Sequence, residues 1–167
     1  WNETVNSNWA TNIGLNYTRG KGYFEQFKDE RSAADYNNLI NEGSDVIVRR
    51  WLDNHFYVFN ANTAYNKNGL EIISGISYSD YTNDHYGEVI SGSDLAVGTS
   101  AGDRYYLSVS DKHDFSVFSK ATFKVNDKLQ VFLDLQNRFV NYTTKGLTSE
   151  RVPIDIDANF SFFNPKL

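Results

Sequence analysis

The sequence contains no cysteine, no methionine, only two prolines and no long apolar run. Without cysteine, the chain has no disulfide framework, no cysteine-ligated zinc and no cysteine nucleophile. No apolar stretch approaches the ~20 residues that a membrane-spanning helix needs, so any membrane crossing would have to be made by strands. Acidic residues outnumber basic ones, 21 against 16, and the net charge of −5 argues against nucleic acid as a partner.

Aromatic side chains are abundant and make up 16% of the 167 residues. Together with many Asn and Gly residues, they favour strands and turns over helices. The length suits one domain. The chain begins at Trp1 within an alternating pattern and ends just after a polar turn signal, Asn164 to Lys166. We therefore expect an interior piece of a longer chain.

Short polar turns alternate with long connections along the sequence. Tight turns are predicted at residues 66–69, 126–128 and 164–166, and the Asn68-Gly69 pair in the first is the strongest hairpin signal. Long connections are predicted at about residues 20–44, 83–112 and 143–156, with room for a helical turn or two within residues 23–38. This layout is typical of outer-membrane β-barrels. We predict an all-β, antiparallel up-and-down meander of about six long strands that forms part of a transmembrane β-barrel.

Side chains alternate between an apolar and a polar face in each predicted strand. In residues 8–19, Trp9 and Leu15 share the apolar face, opposite small polar residues. Lys120 and Arg138 fall in mid-strand on the polar face. Because lipid penalises such charges by ~2–4 kcal/mol near the midplane, we expect them to face inward or lie near the rim. Aromatic residues at strand ends suit interfacial girdles: Tyr17, Tyr65, Tyr78 and Phe123.

Five segments spread over nearly the whole chain carry a family resemblance: NYTRGKGYFEQFK from Asn16, RRWLDNHFYVF from Arg49, NDHYGEVI from Asn83, GDRYY from Gly102 and DLQNRFVNY from Asp134. In this order, and with this rhythm of strands and loops, the chain resembles TonB-dependent outer-membrane receptors of the Bacteroidetes type. The resemblance implies a barrel of about 22 strands with a plug. It also implies import of a nutrient (an iron chelate, a vitamin or an oligosaccharide) across the bacterial outer membrane, energised by the TonB complex.

The chain shows no plug domain, no TonB-box segment and too few strands to close such a barrel. Residues 1–167 are therefore interpreted as a partial barrel wall with three long extracellular loops, and contacts with the TonB complex would lie outside it. Six strands leave two open edges, so we expect the isolated chain to pair with copies of itself or to curl. Whether import also needs a lipoprotein lid stays open.

Aromatic rings beside cations in the predicted loops are the candidate ligand-binding residues: Tyr23, Phe24, Arg49, Arg50, Tyr86, Arg104 and Tyr105. Flat rings and guanidinium groups on an extracellular rim suit a sugar face, a planar cofactor or an anionic chelate. Alternatively, these side chains pack the long loops against one another.

No enzyme, cofactor or metal site is predicted. No serine lies in a Gly-x-Ser-x-Gly turn, and Gly20-Lys21-Gly22 has no helix signal behind it. Asp84-His85 with Glu88 supplies a single histidine, which favours a solvated polar loop. Residues 155–159 lack the glycine and the closing Glu of a calcium loop and favour a strand entry.

Two alternative functions stay open. A soluble carbohydrate-binding β-sandwich would explain the abundant Trp, Tyr and Asn residues, and would sequester Phe115, Val117, Leu133 and Leu135 between two sheets. A porin-like wall without a specific ligand would differ from the receptor only in its loop contacts.

Overall fold

Alternating side chains and tight turns place the chain in one antiparallel sheet, as seen in a computed structural model that describes residues 1–167. The strands are β1 (Asn2–Thr4), β2 (Trp9–Arg31), β3 (Ser44–Lys67), β4 (Leu70–Gly92), β5 (Asp103–Asn126), β6 (Leu129–Leu147) and β7 (Pro153–Lys166). They lie in chain order, each hydrogen-bonded to the next. The predicted all-β meander is confirmed, with a short first strand added to the six long ones. Because a single open sheet is present, the two-sheet sandwich is wrong as a description of this fold.

The connections are tight at one end of the sheet and longer at the other. Residues 5–8, 68–69 and 127–128 form the tight turns, whereas residues 32–43, 93–102 and 148–152 form the longer connections. We call the two ends of the sheet the short-turn half and the long-connection half. In β2 and β3, the boundary between them lies at Tyr17 and Tyr57, which are register partners.

The predicted loop bounds need correction, because most of residues 20–44, 83–112 and 143–156 continues the strands. Charged side chains pair across these strand extensions: Arg19 lies 3.1 Å from Asp53, and Arg49 lies 3.2 Å from Glu25. Cross-strand pairs of this kind support a sheet without apolar alternation. Without apolar alternation, the sequence of these extensions carries no signal that separates strand from loop.

Two smaller expectations also differ from the structure. The helical turn predicted within residues 23–38 is confined to a short 3-10 helix, Ala33–Tyr36, because β2 runs on to Arg31. The turn expected at residues 164–166 is strand, with Lys166 paired to Asp134 in β6. The fold contains no helix that is long and apolar enough to cross a membrane.

The apolar face of the short-turn half is largely exposed, whereas on the opposite face the mid-strand acidic side chains are sheltered and Lys120 and Arg138 are exposed. Leu15, Val117 and Leu135 on the apolar face are 81%, 41% and 38% exposed. Asp134, on the polar face, is only 7% exposed. A soluble sheet buries its apolar face; in this half that face is left uncovered.

Mid-strand charges lie on the polar face and pair with one another, on the same side as the small Asn, Ser and Gly residues. The Lys120 ammonium lies 3.8 Å from the carboxylate of Asp134. Arg138 Nε donates to Asp114 at 3.0 Å. Each charge therefore has a partner that lowers the cost of lining a sheltered surface.

The only sizeable hydrophobic core is in the long-connection half. It consists of Tyr36, Ile40, Val46, Val48, Val89, Tyr105 and Tyr106. Val46 and Val48 belong to the same side of β3 as the polar face of the short-turn half. Connections 32–43 and 93–102 fold over this side together, joined by a bridge between Ile40 and Leu95.

Candidate functional site

The structure separates the seven predicted ligand-binding residues into two groups. Tyr23, Arg49, Tyr86 and Arg104 lie on the face that continues the apolar face, which we call the outward face. Phe24 and Arg50 lie on the opposite, inward face, and Tyr105 is buried in the core on that side. Residues 23 and 24, like residues 49 and 50, are strand neighbours and must project to opposite sides. The predicted residues therefore fall into two clusters on opposite faces of the sheet.

The first cluster, the cation–aromatic ladder, crosses four strands on the outward face and consists of Arg49, Tyr23, Trp51, Tyr86 and Arg104. The Arg49 guanidinium lies 4.5 Å from the Tyr23 ring centre, and Arg104 lies 3.9 Å from that of Tyr86. Trp51 stands between the tyrosines, with ring centres 4.5 Å from Tyr23 and 6.0 Å from Tyr86. Trp51 is not among the residues predicted from the sequence. It joins the ladder because it is the register partner of Tyr23 on one neighbouring strand and of Tyr86 on the other.

Ion pairs hold the ladder in place. The ammonium of Lys21 lies 2.9 Å from Asp53 and 5.6 Å from the Trp51 ring centre. This hydrogen bond lowers the pKa of Asp53 below its ordinary value of 3.8 and raises that of Lys21. The Trp51 indole N–H donates to Glu88 at 2.8 Å. The ladder thus consists of rings and cations, and carboxylates beside it fix Lys21 and Trp51 in place.

The second cluster, the tyrosine–arginine cluster, lies on the inward face beneath the connections and consists of Tyr36, Arg50, His85, Tyr105 and Tyr106. A β-bulge at Gly87/Glu88 shifts the register, so that Gly87 pairs with Tyr106 and Glu88 with Arg104. Consecutive Tyr105 and Tyr106 can both pack inward at this bulge. A Cβ on Gly87 would collide with both rings, so only glycine fits there.

Burial keeps the aromatic groups of this cluster neutral. It raises the pKa of Tyr105 and Tyr106 above the ordinary tyrosine value. Burial, aided by Arg50, lowers the pKa of His85 below 6.5. The His85 Nε2 and the Tyr106 hydroxyl are 3.1 Å apart, and the rings of Tyr36 and Tyr105 are 4.8 Å apart.

Arg50 is the fixed cation of the tyrosine–arginine cluster. It makes no ion pair within 4.0 Å, and its Nε is buried without a hydrogen-bond partner. Its guanidinium lies beside the Tyr105 hydroxyl and offsets part of the rise in that group's pKa. A guanidinium with unused donors beside neutral phenols is suited to binding hydrogen-bond acceptors.

The structure brings no metal-binding group together. Asp84 and Glu88 project outward whereas His85 projects inward, so the three cannot share one ion. No group of three or more His, Asp or Glu side chains is close enough to hold a metal. The fold and the two clusters define an all-β antiparallel sheet protein with distinct inward and outward sites. No family model and no curated protein matches the chain.

Proposed function

We propose that this chain is a section of the wall of a TonB-dependent receptor in the bacterial outer membrane. Its short-turn half would cross the membrane, and its long-connection half would stand outside the cell. The observation that carries the proposal is the exposed apolar face of the short-turn half. Water would penalise that surface, whereas acyl chains solvate it, and the opposite face, which carries the paired charges, suits a wet lumen.

The height of the apolar band supports a membrane crossing. It runs from Trp9 to Tyr17 in β2 and from Tyr65 to Tyr57 in β3, nine residues inclusive in each strand. A tilted transmembrane strand needs about 9–11 residues. Aromatic pairs mark both limits, with ring centres 4.8 Å apart for Trp9 and Tyr65 and 4.7 Å apart for Tyr17 and Tyr57. Such pairs suit the two interfacial girdles of a barrel.

The inward tyrosine–arginine cluster is the better candidate for nutrient recognition. It faces the proposed lumen below connections 32–43 and 93–102. Arg50 has donors to spare there, and Phe24, 52% exposed on the same face, adds an apolar surface. The family resemblance supports import of an iron chelate, a vitamin or an oligosaccharide. Energy coupling to the TonB complex would use parts outside this chain.

The membrane crossing is tested by placing one tryptophan on either side of the sheet. Trp1, Trp9 and Trp51 are replaced by Phe, and then Leu15→Trp or Asn16→Trp is added. These neighbours project to opposite faces. In vesicles of acyl-chain-brominated phosphatidylcholine, we expect strong quenching of the tryptophan at 15 and little at 16. Equal quenching at both positions, or none at either, would contradict a lipid-facing wall.

The receptor assignment has its own test in the full-length parent protein. Deleting residues 93–102 removes one connection that covers the tyrosine–arginine cluster. We expect uptake of one nutrient to fall while the barrel still assembles, as measured by heat-modifiable migration in gels. Unchanged uptake of every candidate nutrient would contradict recognition at this end and favour a porin-like wall.

The isolated chain is also expected to self-associate. The outer edge of β7 has no partner strand, and β1 covers β2 only up to residue 12. Unpaired edges of this length recruit other strands. Chemical cross-linking in micelles should trap dimers or larger species, and a strictly monomeric chain would contradict this expectation.

A further inference from the structure

We propose that the outward face of this chain is a binding site for a glycolipid of the outer leaflet that carries several uncharged sugars. The acyl chains would lie in a groove of the apolar band, and the sugars would lie against the cation–aromatic ladder. This inference rests on the membrane orientation proposed above. It concerns the face opposite the nutrient site and a different ligand.

A groove in the apolar band provides the acyl-chain half of the site. Its volume is about 590 Å³, and its apolar lining includes Ile13, Ala61, Ile76, Val117, Leu135 and Phe163. The hydroxyls in it are already paired: the Ser74 and Ser119 oxygens are 2.7 Å apart. These hydroxyls therefore offer few hydrogen bonds, although Asn137 at the side of the groove has a buried Oδ1 without a partner. An acyl chain would fill the apolar part of the depression.

The groove lies at the depth of acyl chains. Ile13 is four residues below Tyr17 in β2, and Ala61 is four residues below Tyr57 in β3. Four residues at ~3.4 Å each, tilted by ~45°, place the groove about 10 Å below the aromatic boundary. Ile13 and Ala61 are also four residues from the other aromatic limit, Trp9 and Tyr65, so the groove lies near the middle of the band, where the ends of acyl chains lie.

The ladder lies higher than an ordinary headgroup. Tyr23 and Trp51 are each six residues above the boundary residues Tyr17 and Tyr57. This distance is about 20 Å along the strand, or about 14 Å of height at the same tilt. The headgroup layer on one side of a bilayer is only about 5–8 Å thick. A phosphocholine group would not reach the ladder, whereas a chain of several sugars would.

The charge balance at this level selects an uncharged headgroup. On the outward face at and just below the ladder, carboxylates outnumber cations by seven to five. The cations are Arg19, Lys21, Arg49, Arg104 and Lys145, and the carboxylates are Glu25, Asp53, Asp84, Glu88, Asp111, Asp155 and Asp157. A phosphate would find no net attraction. Sugar hydroxyls both donate and accept, so a surface of mixed donors and acceptors matches them.

Exposed groups on the ladder are available for such contacts. The Tyr23 side chain is 48% exposed. Arg104 is exposed and has no carboxylate within 4.0 Å, although it covers the Tyr86 ring. Tyr and Trp rings have an apolar face and a polar group at one edge. They therefore suit a ligand, such as a sugar, that has both apolar and polar surfaces.

The test uses Trp51 as its own reporter. Trp1→Phe and Trp9→Phe leave Trp51 as the only tryptophan, and its fluorescence is followed in phosphatidylcholine vesicles as a second lipid is increased. That lipid is a neutral glycosphingolipid with four sugars, a glycosphingolipid with one sugar, or phosphatidylglycerol. We expect the four-sugar lipid to act at a roughly tenfold lower fraction than either of the others.

Two neighbouring substitutions provide the control. Tyr23→Ala removes the exposed end of the ladder and should weaken the four-sugar response roughly tenfold. Phe24→Ala removes a ring of similar exposure on the inward face and should leave it unchanged. Equal responses to all three lipids, or equal losses in the two variants, would overturn the glycolipid site.

The membrane orientation is checked separately in the same vesicles. If the tryptophan at position 15 is quenched by brominated acyl chains while Trp51 does not discriminate among headgroups, only the glycolipid site is overturned. If the tryptophan at position 15 is not quenched, the wall proposal fails, and the glycolipid site fails with it.

Discussion

The two halves of this sheet share the same strands but present different side chains on each face. In the short-turn half the apolar face is exposed, as Leu15 and Phe139 show, and the carboxylates of the opposite face, Asp114 and Asp134, are sheltered. In the long-connection half the apolar side chains are buried on the inward face, as Val48 and Val89 show, and the outward face is charged. No break in the strands separates these two patterns.

The difference is not one of secondary structure, because the same continuous strands carry both patterns of side chains. The change on the outward face of β2 occurs between Tyr17 and Arg19. In β3 it occurs between Tyr57 and Asp53, with His55 between them. An abrupt change at one level on neighbouring strands is expected where a wall leaves lipid and enters water.

The largest expected effect is the loss of a buried ring in the long-connection half. Tyr106 is 2% exposed, and Tyr106→Ala should lower the free energy of unfolding by about 3–5 kcal/mol, as large-to-small core changes do. Phe139→Ala, in the exposed apolar face, should cost less than half as much. Urea unfolding in zwitterionic micelles measures both. A larger loss for Phe139→Ala would mean that the apolar face is a protein core after all.

A charge at the middle of the apolar band should have the next largest effect. Ile13 lies midway between Trp9 and Tyr17, and Ile13→Arg should destabilise the membrane-inserted chain by about 2–4 kcal/mol. Gly14→Arg adds the same charge on the polar face, where nothing lies within 4 Å of a new Cβ, and should be nearly neutral. Urea unfolding of both variants in phosphatidylcholine vesicles measures the two free energies of unfolding. If the two variants lose equal stability, the two faces of the sheet do not differ in their contact with lipid.

Gly87→Ala tests the bulge that directs Tyr105 and Tyr106 inward. The new methyl would meet both rings, so overpacking should cost about 1–3 kcal/mol. Gly22→Ala is the matched control, because that glycine lies in the same half with nothing within 4 Å of the added atom. The midpoints of urea unfolding of the two variants in micelles are compared, and Gly87→Ala should have the lower midpoint. If both variants unfold alike, Tyr105 and Tyr106 do not pack on the bulge.

The sequence predicted the short-turn half well, because one face there is almost uniformly apolar and period two is visible. The Asn68-Gly69 turn also follows from its residues, since both have positive φ, 52° and 78°. The long-connection half escaped prediction because each of its faces mixes rings with polar or charged groups. Strand and loop then look alike in the sequence.

The candidate site was predicted in its residue types but not in its arrangement. Rings and guanidinium groups do meet, yet Tyr23 and Phe24 face opposite ways and Tyr105 is buried. Trp51 joins the ladder only through the register of three strands, which no local pattern contains. The bulge at Gly87 likewise depends on tertiary packing.

The smallest expected effect is a pH dependence confined to the long-connection half. Burial and Arg50 lower the pKa of His85, while Glu150 partly opposes them. The imidazole of His85 therefore binds a proton more readily in the unfolded chain than in the folded one. The folded state keeps its full free energy of unfolding above the ordinary pKa of 6.5 and loses part of it as pH falls through the lowered pKa. Thermolysin cleavage within residues 93–102 should accelerate from about pH 7 to about pH 5.5 once corrected for enzyme activity. His85→Gln should abolish this change, whereas quenching of the tryptophan at position 15 should stay constant; an unchanged pH profile in His85→Gln would contradict the assignment.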